Sequence, residues 1–381
     1  MLSSFDALPT DIPANLHLFF TQNLLAWSAA HPRPLPWKGE RDPYKIWLSE
    51  IILQQTRVEQ GLPYYERFVA AYPTVWDLAD APEDELMKLW EGLGYYSRAR
   101  NLHAAAKHIA NDLGGRFPDT YAGLLRLKGV GDYTAAAVAS FAFGLPHAVV
   151  DGNVYRVLSR FFGIADPTDT PAAKRAFTTL ANQLLDPERP GAFNQAIMDF
   201  GATWCTPQQP RCPQCPMLPH CVAAQTRRIA DFPAKSKKIE KKERFFFYLV
   251  VNWQGNLYIQ KRTQKDIWQN LFEFPMIELG ALPTDSEEAT AIIRQQDALS
   301  LPLPETVKGS LSRPYRQTLT HRYVSAVFFE IHLPDVAAGW LDQPFFKHCL
   351  PVQRSDLKKK FAFPRLVDNY WDAGAVTLTL F

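Results

Sequence analysis

The stretch Leu127-Lys128-Gly129-Val130-Gly131-Asp132-Tyr133-Thr134-Ala135-Ala136-Ala137 decides how the chain is read. A helix starting near Asp119 runs into it and ends at Leu127-Lys128. Gly129-Val130-Gly131 then makes a tight turn, and Asp132-Tyr133-Thr134 opens an alanine-rich helix reaching Phe143. Two glycines so placed let backbone N–H groups at the start of the second helix approach an anion, as a phosphate site requires. An ordinary packing corner between two helices fits the same residues.

Working outward, the helical period dominates from about Asn15 to Ala223. Asp80-Ala81-Pro82-Glu83 reads as a helix start with cap, first-turn proline and capping-box acid, followed by Leu86, Leu89, Trp90 and Leu93 at helical spacing. A further helix spans about Ser97 to Leu113 and stops at Gly114-Gly115. Residues 1–225 therefore read as a nearly all-α domain. Residues 226–244 carry Arg227, Arg228, Lys235, Lys237, Lys238, Lys241, Lys242 and Arg244 against Asp231, Glu240 and Glu243. This basic segment reads as a solvated linker able to touch phosphate in passing. Beyond it the period falls to two. Phe245 to Val251, Leu257 to Gln260, Tyr323 to His332 and Val376 to Phe381 read as strands, and Ser286 to Leu299 as a helix. Residues 245–381 are thus expected to form an α+β domain.

Composition limits the classes. A chain of 381 residues exceeds what one core usually organises, and 47% apolar residues argue against wholesale disorder. The net charge of +2 and a pI near 8.2 are only mildly basic, so any nucleic-acid footprint is local. No apolar run approaches the ~18 residues of a membrane span. Met1-Leu2-Ser3-Ser4-Phe5-Asp6 lacks the charged start and apolar stretch of a secretion signal. Five cysteines, four of them crowded, suit a reducing compartment and a metal site better than a disulfide framework. A soluble, cytoplasmic, monomeric protein is expected.

Cys205, Cys212, Cys215 and Cys221 are spaced C-x6-C-x2-C-x5-C, among prolines at 207, 210, 213, 216 and 219. Prolines stiffen a loop with little helix or strand of its own, which a metal centre would organise. Four thiolates suit tetrahedral zinc as well as an iron–sulfur group, and spacing does not choose. Cys349 stands apart and reads as a small apolar residue. Two carboxylates complete the local picture. Glu50 lies on a helical stripe with Ile46 and Leu53, where burial would raise its pKa toward that of a general acid working near neutrality. An edge position reaching solvent is the plainer account. Asp151, after Ala148-Val149-Val150, starts a helix through Val154 and Leu158, for which simple N-capping suffices.

Together these pieces resemble the helix–hairpin–helix (endonuclease III-like) glycosylase superfamily, specifically the MutY-type adenine DNA glycosylases. The resemblance rests on Trp47 to Thr56, Glu91 to Arg98, Leu127 to Gly131, Val150 to Val154 and the four cysteines, in family order over about residues 15–230. It implies a [4Fe–4S] cluster on the 205–221 loop. It also implies removal of adenine mispaired with 8-oxoguanine or guanine in double-stranded DNA, after the base is flipped out. Glu50 matches the acid that protonates the base, Asp151 the carboxylate that stabilises or traps the sugar cation, and Tyr133 and Asn153 the residues that orient them. Gln55 and Tyr95 match wedges in the base stack, with a capped helix face and an aromatic core contact as the plainer accounts. Arg33 and Trp37 match contacts near the extruded adenine, and Gly129, Val130 and Gly131 the phosphate-binding hairpin. Arg211 is a candidate phosphate contact.

Endonuclease III-type enzymes carry a lysine where Tyr133 stands, and a tyrosine cannot form an imine, so a monofunctional glycosylase leaving an abasic site is implied. The C-terminal part resembles the family's Nudix-like domain through Lys261-Arg262 and Trp268 to Pro275. The family's Phe-Ser-His recognition loop appears here as Leu319-Thr320-His321, which keeps a hydroxyl but loses a ring that could stack. No R-E-x-x-E-E segment for pyrophosphate hydrolysis exists. Two other readings stand beside this one. One is an endonuclease III-like enzyme of different base specificity; the other is a cluster-bearing DNA-binding protein without catalysis.

Overall fold

The structure is a computed structural model and describes residues 12–234, 241–295, 307, 309–319 and 321–378. Two compact units organise it. The first comprises Met1–Asp80 and Asn101–Lys238; the second comprises Ala81–Arg100 and Ile239–Phe381. A segment that lies in the middle of the helical sequence thus packs with the C-terminal polypeptide. The sequence division at 225 and 245 contains no such exchange.

The helices run α1 (Ala14–Ala30), α2 (Pro43–Leu53), α3 (Val58–Ala71) and α4 (Val75–Asp80). They continue as α5 (Glu83–Trp90), α6 (Ser97–Asn111), α7 (Tyr121–Leu125) and α8 (Asp132–Phe143). The series closes with α9 (Gly152–Phe162), α10 (Pro171–Leu184), α11 (Pro190–Thr203) and α12 (Val222–Gln225). Phe20, Leu24, Val154, Leu158, Phe161, Phe177, Phe193 and Phe200 form the core that joins α1, α9, α10 and α11. Helix α7 is shorter than the periodicity suggests. Thr120, itself extended, caps it by accepting from the Gly123 N–H at 3.2 Å, so the helix begins only at Tyr121.

The capping box expected at Asp80–Glu83 lies one helix earlier. The Thr74 N–H donates to Asp77 Oδ2 at 2.9 Å and the Asp77 N–H to Thr74 Oγ1 at 3.3 Å. Asp80 is already the last residue of α4, and Pro82 caps α5 without a side-chain bond.

In the second unit β1 (Lys242–Trp253), β2 (Asn256–Lys261), β3 (Phe272–Glu273) and β4 (Met276–Leu279) precede α13 (Ser286–Arg294). After it come β5 (Gly309–Leu311), β6 (Tyr315–Thr318), β7 (Arg322–His332), β8 (Cys349–Gln353), α14 (Leu357–Lys360) and α15 (Arg365–Leu378). The sheet order is β3-β2-β1-β7-β5, with β4 on β1, β6 on β7 and β8 on β2. β1 and β7 pair in parallel from Lys242↔Arg322 to Asn252↔His332, and the other pairs are antiparallel. The interior strand β1 is buried on both faces, as a central parallel pair requires. Phe247, Leu249 and Val251 face one core, while Phe246 and Tyr248 alternate away from it.

The strand expected over Val376 to Phe381 is not found. Val376 to Leu378 belong to helix α15, and 379–381 lie outside the described residues. Leu366, Val367 and Tyr370 already bury a helical stripe, and extending a nucleated helix adds one bond per residue. That outweighs a short alternating pattern over Val376 to Leu378. No helix among the described residues is long and apolar enough to cross a membrane.

Candidate active site

Helix α2 is capped by Asp42, which accepts from the Tyr44 N–H at 2.9 Å, and Pro43 takes the first helical position. Every residue from Tyr44 to Ile52 except Lys45 is buried, so the helix has no wet face on which to place Glu50. Glu50 is 7% exposed. Burial pushes its carboxyl up to about 7; the Tyr133 hydroxyl opposes the rise and the nearby Asp151 charge adds to it. The Tyr133 hydroxyl, on the first turn of α8, also approaches Met198 Sδ at 3.3 Å. Its one proton belongs with the carboxylate, a far better acceptor than a thioether. Burial and the two carboxylates hold the Tyr133 phenol well above its ordinary pKa, so it stays a donor.

Asp151 caps α9 and is part of the same cluster. Oδ1 accepts the N–H groups of Asn153 at 2.9 Å and Val154 at 2.8 Å, and Oδ2 accepts Asn153 Nδ2 at 2.7 Å. Burial raises its pKa, while these three bonds and the Arg156 charge favour the ionised form. The cap thus also fixes the orientation of this carboxylate within the cluster. Asn153 is fixed in turn by the buried Arg156, which donates to Asn153 Oδ1 at 2.9 Å, to the Gly201 carbonyl at 2.6 Å and to the Cys205 carbonyl at 2.8 Å. Gly201 lets α11 cross α9 at that point, since a Cβ there would lie 2.6 Å from Asn153 Cβ. Sequence reading missed Arg156. Its signal was a charge at i+3 from Asn153 beside the apolar stripe of Val154, Val157 and Leu158.

A cleft of about 500 Å³ opens on the Glu50 side, lined by Trp37, Lys38, Ser49, Glu188 and Gln195. A second, of about 440 Å³, opens on the Tyr133 side beside Gln54, Gln55, Gly131 and Val150. Arg33 does not line the first cleft; it pairs with Asp199 at 3.2 Å. Asp199 also holds Lys38 at 2.5 Å and Gln195 Nε2 at 3.2 Å, and none of these three residues was singled out from sequence. Trp37 lines the cleft and also packs edge-on against Tyr65 at 5.3 Å.

Gln55 and Tyr95 both have positive φ, +54° and +49°, uncommon for side chains of this size. Tyr95 is 46% exposed. Gly129 takes φ +81° with Asn101 Cβ only 2.7 Å from where its own Cβ would be, so the hairpin admits no other residue without rearrangement. Val130 turns inward and Gly131 is open. In the second unit His321 is exposed, Lys241 Nζ donates to the Leu319 carbonyl at 2.8 Å, and Thr320 lies outside the described residues.

Among the described residues, no group of three or more His, Cys, Asp or Glu side chains is gathered so as to hold a metal ion. Cys205, Cys212, Cys215 and Cys221 instead surround one small cavity, walled further by Arg160, Leu218 and Ile229. Arg160 secures the loop, donating to the carbonyls of Thr206 at 2.7 Å and Pro207 at 3.1 Å. Burial pushes the Cys215 thiol up to about 12 and raises Cys212 and Cys221, so ligation must displace protons. Arg211 stacks over Trp204 at 5.1 Å.

Residues 48–183 match the family model of the HhH-GPD superfamily base excision DNA repair proteins, and residues 246–373 match a NUDIX domain. An adenine DNA glycosylase of Buchnera aphidicola is 36% identical over 257 residues, 67% of this chain and 74% of the relative. The chain belongs to the adenine DNA glycosylase family. The human adenine DNA glycosylase is also 36% identical, over 342 residues, 75% of this chain and 62% of the human protein. Among solved structures, a thermostable thymine-DNA glycosylase matches this glycosylase with a TM-score of 0.52 at 33% identity. That match covers 56% of this chain and 98% of the other.

Proposed function

We propose that this member of the adenine DNA glycosylase family removes adenine paired with 8-oxoguanine or guanine in duplex DNA and leaves an abasic site. The observation that carries the reading is the Glu50–Tyr133–Asp151 cluster: a buried carboxyl poised near neutrality beside a second carboxylate held by three hydrogen bonds. Glu50 gives its proton to N7 of the flipped adenine, the C1′–N9 bond breaks, and adenine departs neutral. Asp151 stabilises the oxocarbenium-like sugar, as paired carboxylates do around other glycosidic bonds. Water adds to C1′ and its proton returns to Glu50, restoring the acid. Tyr133 keeps Glu50 oriented, and Asn153 keeps Asp151 oriented. With a phenol where a Schiff-base lysine would stand, strand cleavage is not part of the reaction.

The remaining roles follow the same reading. Arg33 and Trp37 serve the extruded adenine, Gly129, Val130 and Gly131 the phosphate, Gln55 and Tyr95 the opened stack, and Thr320 and His321 the opposite base. Cys205, Cys212, Cys215 and Cys221 would hold a [4Fe–4S] cluster. When bound, that group ties together a proline-rich loop that also carries Arg211. Incubation with A·8-oxoguanine, A·G, A·C and A·T duplexes tests the function. Adenine release is expected in the first two, with strand breaks only after alkali. Breaks without alkali, or release of another base, would overturn the reading.

A further inference from the structure

Tyr95 sits at the tip of the turn between α5 and α6, and that turn is firmly built. Trp90 Nε1 donates to the Gly94 carbonyl at 3.0 Å, and the Arg98 N–H donates to the Tyr95 carbonyl at 2.8 Å. The buried Arg98 guanidinium lies over both the Trp90 ring at 5.2 Å and the Tyr95 ring at 5.4 Å. Gly92 and Gly94, like Tyr95, have positive φ.

The supports of this segment come from an unexpected part of the chain. Glu91 Oε1 accepts the Phe363 N–H at 2.9 Å, and Lys88, itself paired with Glu91, donates to the Phe361 carbonyl at 3.0 Å. Arg100 donates to the Gln269 carbonyl at 2.7 Å. Asn270 Nδ2 reaches Glu83 Oε1, and Lys261 reaches Asp84 Oδ1, each at 2.5 Å. Three of these five contacts use backbone groups of the C-terminal polypeptide, which offer fixed positions rather than flexible side-chain ends. They bracket Tyr95, with Glu83, Asp84, Lys88 and Glu91 before it and Arg100 after it. Residues 81–100 group with Ile239–Phe381 in the second compact unit.

We infer that the C-terminal polypeptide acts as the mount for the Tyr95 turn, with Glu91 and Arg100 as positioning residues that hold the ring ready to enter the base stack. The inference rests on reading Tyr95 as a wedge. Opening a base step costs a few kcal/mol, so a wedge works only if its support does not yield under that load. The C-terminal polypeptide then has a duty besides meeting the base opposite adenine.

The test uses the full chain and an A·8-oxoguanine duplex with 2-aminopurine beside the mispair, whose fluorescence rises on unstacking. Tyr95→Ala is expected to remove most of that rise and slow single-turnover excision roughly tenfold. Glu91→Ala with Arg100→Ala is expected to do the same, and adding Tyr95→Ala to that pair should cause little further loss. Glu91→Gln keeps an acceptor for the Phe363 N–H and is expected to keep the fluorescence rise. If the losses multiply, or Gln fails as completely as Ala, the mounting role is overturned. The same holds if the double variant melts earlier yet keeps the full fluorescence rise and excision rate, which marks a purely structural role. If Tyr95→Ala itself leaves the fluorescence rise intact, the wedge reading fails, and this inference with it. Should the double variant not fold, Arg100→Ala alone carries the comparison.

Discussion

Glu50 has two carboxyl oxygens, one hydroxyl partner and almost no water. Its folded pKa, about 7, lies above its ordinary 4.5, so the neutral form is the one the fold prefers. The stability this contributes is present in full below about pH 4.5 and disappears as pH rises through 7. Ionised Glu50 therefore costs on the order of 3 kcal/mol above neutrality. Glu50→Gln, which cannot ionise, is expected to melt higher than the parent at pH 9 and about equally at pH 5. The same change removes the proton donor and is expected to slow adenine release by roughly 10²–10⁴-fold while mispair binding persists. In the parent, release is expected to decline as pH rises past 7. A rate independent of pH between 6 and 9 would separate Glu50 from the proton transfer.

Elements set the geometry that single residues use. Helices α9 and α11 approach closely at Gly201, where Asn153 and Arg156 interlock with the following chain. Gly201→Ala places a methyl against both the side chain and the backbone of Asn153, so neither can step aside alone. A stability loss of about 1–3 kcal/mol is expected, with a larger fall in kcat than in KM, because Asp151 would lose its Asn153 donors. Thermal melting and steady-state kinetics on one preparation check both. This is also where sequence reading reached its limit. Periodicity reports which face of a helix is buried, and it placed Glu50 correctly between Ile46 and Leu53. It does not report what lies against that face. The Asp199 hub joins Arg33 and Lys38 to a residue more than 160 positions away, and no local pattern carries such a pairing. The capping box went to Thr74–Asp77 because Asp80 was already committed to ending α4. Over Val376 to Leu378 the expected C-terminal strand gave way to helix because period two over a few residues is weaker than continuation of a packed helix.

For the molecule as a whole, the hairpin, the carboxylates and the cysteine loop were legible because each is short and local. The ownership of residues 81–100 was not, since it depends on partners beyond 260. The four-cysteine loop gives a whole-molecule expectation. Anaerobically purified protein should contain about four iron and four sulfide per chain, and Cys212→Ser should lose them. Zinc at one per chain in the parent would replace the iron–sulfur assignment with a tetrahedral site.

The placement of residues 81–100 also sets an order of events during synthesis. These residues leave the ribosome about 140 residues before the first of the second unit's other residues is complete. At about 5–20 residues per second, that is a wait of roughly 7 to 30 s. Throughout it, Glu83, Asp84, Lys88, Glu91 and Arg100 have no partners at 261, 269, 270, 361 and 363. The helical half can collapse early, but the turn bearing Tyr95 stays unfinished until the C-terminal end is made.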